Sequence, residues 1–93
     1  MAKWIKASGE VVDVSPKNEG QTFTLEELKS FVDGWIECVF LNDTQVMVVN
    51  EEGKLLGLPY NAIATEVYCM AFQPHRDIIV GDVLLCERDK DID

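Results

Sequence analysis

Two short runs rich in apolar and β-branched residues open the chain, residues 3–7 and 10–14, and only Ser8-Gly9 separates them. A two-residue polar loop containing glycine between such runs predicts a β-hairpin. Residues 15–20 are polar and contain Pro16 and Gly20, which end the sheet edge in an exposed loop. The spacing then changes from two to three and four. Thr24 stands three residues before Glu27, and Phe23 precedes the cap while Leu28 lies four positions into the helix. The first pair makes a capping box and the second a hydrophobic staple, so a helix is predicted to begin at Leu25. Leu25, Leu28, Phe31 and Val32 share one face of it, and Asp33-Gly34 stops it with glycine suited to a left-handed cap.

The stretch 44–68 organises the rest. Residues 35–41 are apolar on both alternating faces apart from Glu37, which predicts a central strand covered on both sides, with Trp35 in the core and Trp4 in the core or at an interface. Asn42-Asp43-Thr44 turns the chain into a second strand over 45–50, giving an antiparallel hairpin. A turn through Glu51, Glu52 and Gly53 leads to a short apolar return at Leu55, Leu56 and Leu58. Pro59, Tyr60 and Asn61 then launch a second helix, with Asn61 as N-cap and Ile63, Ala64, Val67, Tyr68, Ala71 and Phe72 on its apolar face. Residues 73–77 form a polar connection. Residues 78–80 and 83–86 flank Gly81-Asp82 and predict a last strand kinked at the glycine. Residues 1–88 make a single domain and the charged residues 89–93 a frayed tail. The run order β-β-α-β-β-α-β predicts an α+β fold in which an antiparallel sheet of about five strands carries two helices on one face. The other face is then left for self-association, so a homo-oligomer is expected.

Composition narrows the function classes. Seventeen acidic against eight basic residues in a chain of 93 give a net charge of −9. That charge repels a phosphate backbone and excludes generic nucleic-acid binding. No apolar run approaches the roughly 20 residues that span a bilayer, and the N-terminus lacks a secretory apolar run. A soluble protein of the bacterial host cytoplasm is expected, with no membrane partner. Cys38, Cys69 and Cys86 are odd in number, lie in apolar segments and form no C-x-x-C pair, as buried free thiols in a reducing compartment would.

The order of the turn motifs is also informative. Residues 23–28 (FTLEEL), 34–37 (GWIE), 48–54 (VVNEEGK), 57–61 (GLPYN) with Ala64-Thr65, and 79–83 (IVGDV) resemble a family of small uncharacterised proteins of bacteriophages, plasmids and other mobile elements and their bacterial hosts. The resemblance covers nearly the whole chain and implies no activity. It implies a genetic setting in which short proteins often manipulate the host, and so raises an anti-defence or regulatory role.

Candidate chemistry is sparse. His75 is the single histidine, and with Cys69 it falls two ligands short of a structural zinc site. No metal, cofactor or catalytic residue is assigned. The carboxylate pairs Glu26-Glu27 and Glu51-Glu52 sit where helix starts and turns favour acids for local reasons. The segment from Gly57 to Asn61 is the candidate surface. Packing and capping alone account for Pro59, Tyr60 and Asn61, but a helix start also offers free N–H groups to an anionic group. On the ligand reading Tyr60, Asn61, Thr65, Arg76, His75 and Lys54 form the site, with Tyr60 stacking on a base. The leading expectation is therefore a non-enzymatic anti-defence protein that sequesters a small nucleotide-like host signal. The alternative is an acidic, DNA-mimic-like inhibitor that binds and blocks a host protein. A local basic pocket favours the first and an unbroken acidic face the second, whereas a small enzyme requires His75 in a cleft beside a carboxylate.

Overall fold

The strand that ends up at the centre of the core is the one whose sequence, QVMVVN, is apolar on both alternating faces. The computed structural model describes residues 2–18, 20–72 and 77–92. In chain order the elements are β1 (Ala2–Ile5), β2 (Val11–Val14), α1 (Leu25–Val32), β3 (Ile36–Phe40), β4 (Gln45–Asn50), α2 (Ala62–Ala71) and β5 (Val83–Glu87). They form the expected α+β fold: five strands in one antiparallel sheet of order β2-β1-β5-β4-β3.

Registers assign each side chain to a face, because directly opposed residues point the same way. Val46 opposes Cys86 and Phe40, and Val48 opposes Leu84 and Cys38. Val46, Val48, Leu84, Cys86 and Cys38 pack with Phe23, Leu28 and Val32, so this face carries α1. Met47 opposes Leu85 and Val39, and Val49 opposes Glu37. This second face packs Met47, Val49 and Val83 with Ala64, Val67 and Tyr68 of α2. The helices therefore cover opposite faces, not the single face expected. The physical reason lies in β4, where Val46, Met47 and Val48 are wholly excluded from water; a strand apolar on both sides needs a layer on each. The free sheet face invoked for self-association is thus covered by α2.

The central position also changes hands. β5 inserts between β1 and β4, which leaves β3 at the sheet edge instead of the centre. Trp35, expected in the core, is 57% exposed and lies under the Lys29 ammonium at 4.0 Å from its ring centroid. Trp4 is half-buried, donates from Nε1 to the Phe31 carbonyl at 3.1 Å and meets the Phe31 ring edge to face. The segment 51–57 is a run of turns, closed by Leu56 N–H to the Glu52 carbonyl and Leu58 N–H to the Gly53 carbonyl. Leu55 and Leu56 of the supposed apolar return are exposed. Residues 78–80 make only an isolated bridge, Tyr60 to Val80, before Gly81 turns the chain at φ 76° into β5.

The first helix is held as its spacing implies. Glu27 N–H donates to Thr24 Oγ1, and Glu27 Oε1 accepts from Thr24 N–H, completing the capping box. At the other end Asp33 adopts the left-handed conformation, φ 60°. Asn50, at the end of β4, donates from Nδ2 to the Val32 and Asp33 carbonyls, tying that helix end to the sheet. Beyond β5 the charged residues turn back. Asp91 is buried, its Oδ2 accepts from Glu87 N–H at 2.8 Å, and its carbonyl accepts from Phe23 N–H at 2.9 Å. Ile92 packs against the α1 side of the core. Asp91 and Ile92 thus belong with the domain and not with a tail, because a buried carboxylate that caps a turn and an apolar side chain both gain by staying against it.

Candidate functional site

On the α2 face, β3 and β4 supply a floor that α2 does not fully cover. Period-2 alternation puts Glu37 and Val39 of β3 beside Val49 of β4 on this face. The turn after β4 raises Glu51, Lys54 and Leu55 on one side, while residues 77–80 and Tyr68 of α2 wall the other. Together they enclose a groove of about 290 Å³. Its floor is aliphatic, from Val39 and Val49, and the exposed side chains of Leu55 and Ile78 extend that surface outward. Among the described residues its charged lining is three carboxylates, Glu37, Glu51 and Asp77, against one ammonium, Lys54.

Lys54 does not leave that ammonium free, since Nζ donates to Asp77 Oδ1, which also accepts from Ile78 N–H. The ion pair is exposed and pins the turn to the opposite wall more than it stabilises the fold. A second depression, about 550 Å³ beside the start of α1, is walled by Glu26 and Glu27. Glu27 is already engaged there: Thr24 N–H and Lys17 N–H both donate to it, and these backbone bonds hold its carboxyl below the usual carboxylate range.

The sequence-predicted residues fall in two places. Asn61 is fully buried, with Oδ1 accepting from Ala64 N–H at 3.0 Å and Nδ2 donating to the Ile5 carbonyl at 3.0 Å and the Gly81 carbonyl at 2.9 Å. Thr65 is buried too. Its Oγ1 accepts from Ile79 N–H at 2.8 Å and donates to the Ile79 carbonyl at 3.2 Å. Asn61 N–H also donates to the Ile79 carbonyl. These two side chains therefore clamp residues 79–81 to the start of α2, and their polar atoms serve the protein's own backbone. Tyr60 is 54% exposed beside that clamp. Lys54 lies in the groove, whose lining includes none of Tyr60, Asn61 and Thr65. His75 and Arg76 lie outside the described residues.

Glu37, Glu51, Asp77, Val39, Val49 and Tyr68 were not singled out from sequence as site residues. One signal was present: Glu37 is the lone charge in an otherwise apolar strand, a position that sequence alone marks as unusual. Among the described residues no cluster of three or more metal-ligating side chains exists, and no helix is long and apolar enough to cross a membrane. Burial pushes the Cys86 thiol up to about 12, with Asp91 and Cys38 adding to the effect. Burial, then Glu37, raises Cys38 as well.

Fold and groove together define a small α+β domain, a five-stranded antiparallel sheet between two helices with an acidic, aliphatic-floored cleft at one edge. The chain belongs to the family described as Domain of unknown function (DUF3846), whose sequence model matches residues 6–93. No curated protein and no solved structure matches it.

Proposed function

We propose that the chain is a non-enzymatic binding protein of a phage or mobile element, and that it blocks a host protein by taking an arginine- or lysine-bearing segment of that protein into the groove. One observation carries this reading: among the described residues three carboxylates line an aliphatic floor, and the single lysine beside them is already paired with Asp77. A guanidinium matches carboxylates bidentately, and its aliphatic stem suits Val39 and Val49. The net charge of −9 steers a basic partner toward the site and speeds encounter. A groove of about 290 Å³ lies at the small end of small-molecule sites, and suits one or two side chains better than a nucleotide with its phosphates.

Capture of a nucleotide-like host signal, the other expectation, needs positive potential. Asn61 and Thr65 are committed to backbone groups, and the groove beside them is acidic. The acidic surround favours the protein-blocking role.

Calorimetric titration decides between the two. The probes are short peptides alternating arginine with leucine or valine, their aspartate-substituted counterparts, and a panel of cyclic and ADP-ribose-type nucleotides. The arginine peptides are expected to bind, with affinity falling as salt rises and falling at least tenfold in the Glu37→Lys, Glu51→Lys double variant. Binding of a nucleotide with no binding of the basic peptides would overturn the proposal.

A further inference from the structure

β3 is an edge strand, and its hydrogen-bonding pattern identifies the groups it leaves open. The Trp35 carbonyl accepts from Glu51 N–H, and Leu41 N–H donates to the Gln45 carbonyl. With the register of β3 on β4, these two bonds fix the phase of the ladder: Trp35, Glu37, Val39 and Leu41 direct their backbone groups at β4. The alternating residues Ile36, Cys38 and Phe40 therefore direct theirs outward, away from the sheet. No proline or bulge protects the strand, and its only charge is Glu37. Large apolar side chains mark both its ends. Trp35 is 57% and Phe40 53% exposed, and each ring is held by a cation, Lys29 at 4.0 Å and Arg88 at 4.7 Å.

We infer that β3 pairs antiparallel with β3 of a second copy of this chain, about a two-fold axis at Cys38. Among antiparallel registers this is the one that uses every outward N–H and C=O of Ile36, Cys38 and Phe40 on both strands. It places Ile36 opposite Phe40 of the second copy and Cys38 opposite its own equivalent, so the α1 side of the seam is wholly apolar. On the α2 side it places Glu37 opposite Val39 of the second copy, which keeps the two Glu37 carboxylates from directly facing one another. The same self-complementarity would not arise for a strand with a charge at its centre. Joining the two β3 strands closes one of the sheet's two edges, a common way of removing an exposed edge. It also has a consequence for the groove. Glu37 and Val39 line it at the seam, so the second copy brings its own Glu37 and Val39 to the rim, and two acidic grooves become neighbours across the axis. The inference does not depend on what the groove binds.

The experiment uses the full chain. Sedimentation equilibrium at tens of micromolar is expected to give twice the 10.5 kDa chain mass. Directly opposed Cα atoms in a hydrogen-bonded antiparallel pair lie about 5.5 Å apart, within reach of a short bifunctional thiol reagent. Crosslinking with such a reagent followed by peptide mapping is therefore expected to yield a Cys38–Cys38 product between chains. Phe40→Asp, at an exposed position, is expected to weaken the dimer at least tenfold with an unchanged circular dichroism spectrum, whereas Met70→Asp, exposed on α2, leaves it intact. A monomer mass overturns the inference. So does a dimer that yields no Cys38–Cys38 product, or one that persists unchanged in Phe40→Asp.

Discussion

Replacing Asn61 by alanine tests whether the start of α2 is a clamp or a ligand site. The substitution removes an N-cap acceptor, which is worth about 1 kcal/mol. It also removes the two N–H donors of Asn61 Nδ2, which serve the carbonyls of Ile5 and Gly81, at a position with no solvent exposure. Each carbonyl that loses its partner away from water costs roughly 1–3 kcal/mol. With the cap, the sum is about 3–7 kcal/mol. That is a large part of the roughly 5–15 kcal/mol by which a domain is stable. Urea unfolding followed by the fluorescence of Trp4 and Trp35 reads it. With a slope of about 1–2 kcal/mol per molar for a chain of this size, the midpoint should fall by about 2 M or more. Asn61→Asp keeps the cap oxygen but turns an acceptor toward the two carbonyls, and should be at least as unstable at neutral pH. If Asn61→Ala unfolds within 1 kcal/mol of the wild type, the clamp argument is wrong and Asn61 regains its place as a candidate for ligand contact.

Thr24→Ala should cost roughly 1 kcal/mol, since both halves of the capping box converge on that residue; coincident urea midpoints would refute it. Gly81→Ala should destabilise markedly, because φ there is +76° and an added Cβ would come within 2.8 Å of Leu58 Cδ1; a thermal melt unchanged by the substitution would contradict the turn geometry. Glu27 is held in its charged form by backbone donors, so its contribution is present above the unfolded carboxylate pKa and lost as pH falls through the lowered folded value. The gap in unfolding midpoint between wild type and Glu27→Gln should accordingly narrow as pH falls from neutral through the carboxylate range; a gap that widens would show the sign to be wrong. Alkylation near neutral pH should label Cys69 and Cys38 before Cys86, which is buried and pushed up to about 12; early labelling of Cys86 by mass spectrometry would argue against its burial.

Local signals were legible wherever a few neighbouring residues settle the outcome. Thr24 with Glu27 fixed the start of α1, and Asn61 the start of α2, because an N-cap bond closes over three residues. The double-sided apolar run of β4 was legible as well, and properly read it demands a layer on each face. What the pattern could not convey is which layer. Placing α1 and α2 on opposite faces, and β5 between β1 and β4, follows from long-range pairing such as Val48 with Leu84, to which no local spacing points. The same holds for the groove. Glu37, Glu51 and Asp77 come from a strand, a turn and a connection that the sheet order brings together, so their sum appears only in three dimensions. Trp35 was misjudged for a related reason: a large aromatic reads as core, but at a sheet edge it is half uncovered and stacks under Lys29.

The acidic groove is tested most directly by mapping where a basic segment sits. Amide chemical-shift perturbation with the tightest-binding arginine peptide should move Val39, Val49, Glu51 and Ile79 around the groove, and leave Val12 and Val14, on the α1 side of the sheet at its far edge, unmoved. Perturbations centred on Tyr60 with a nucleotide, and none in the groove with any basic peptide, would contradict it.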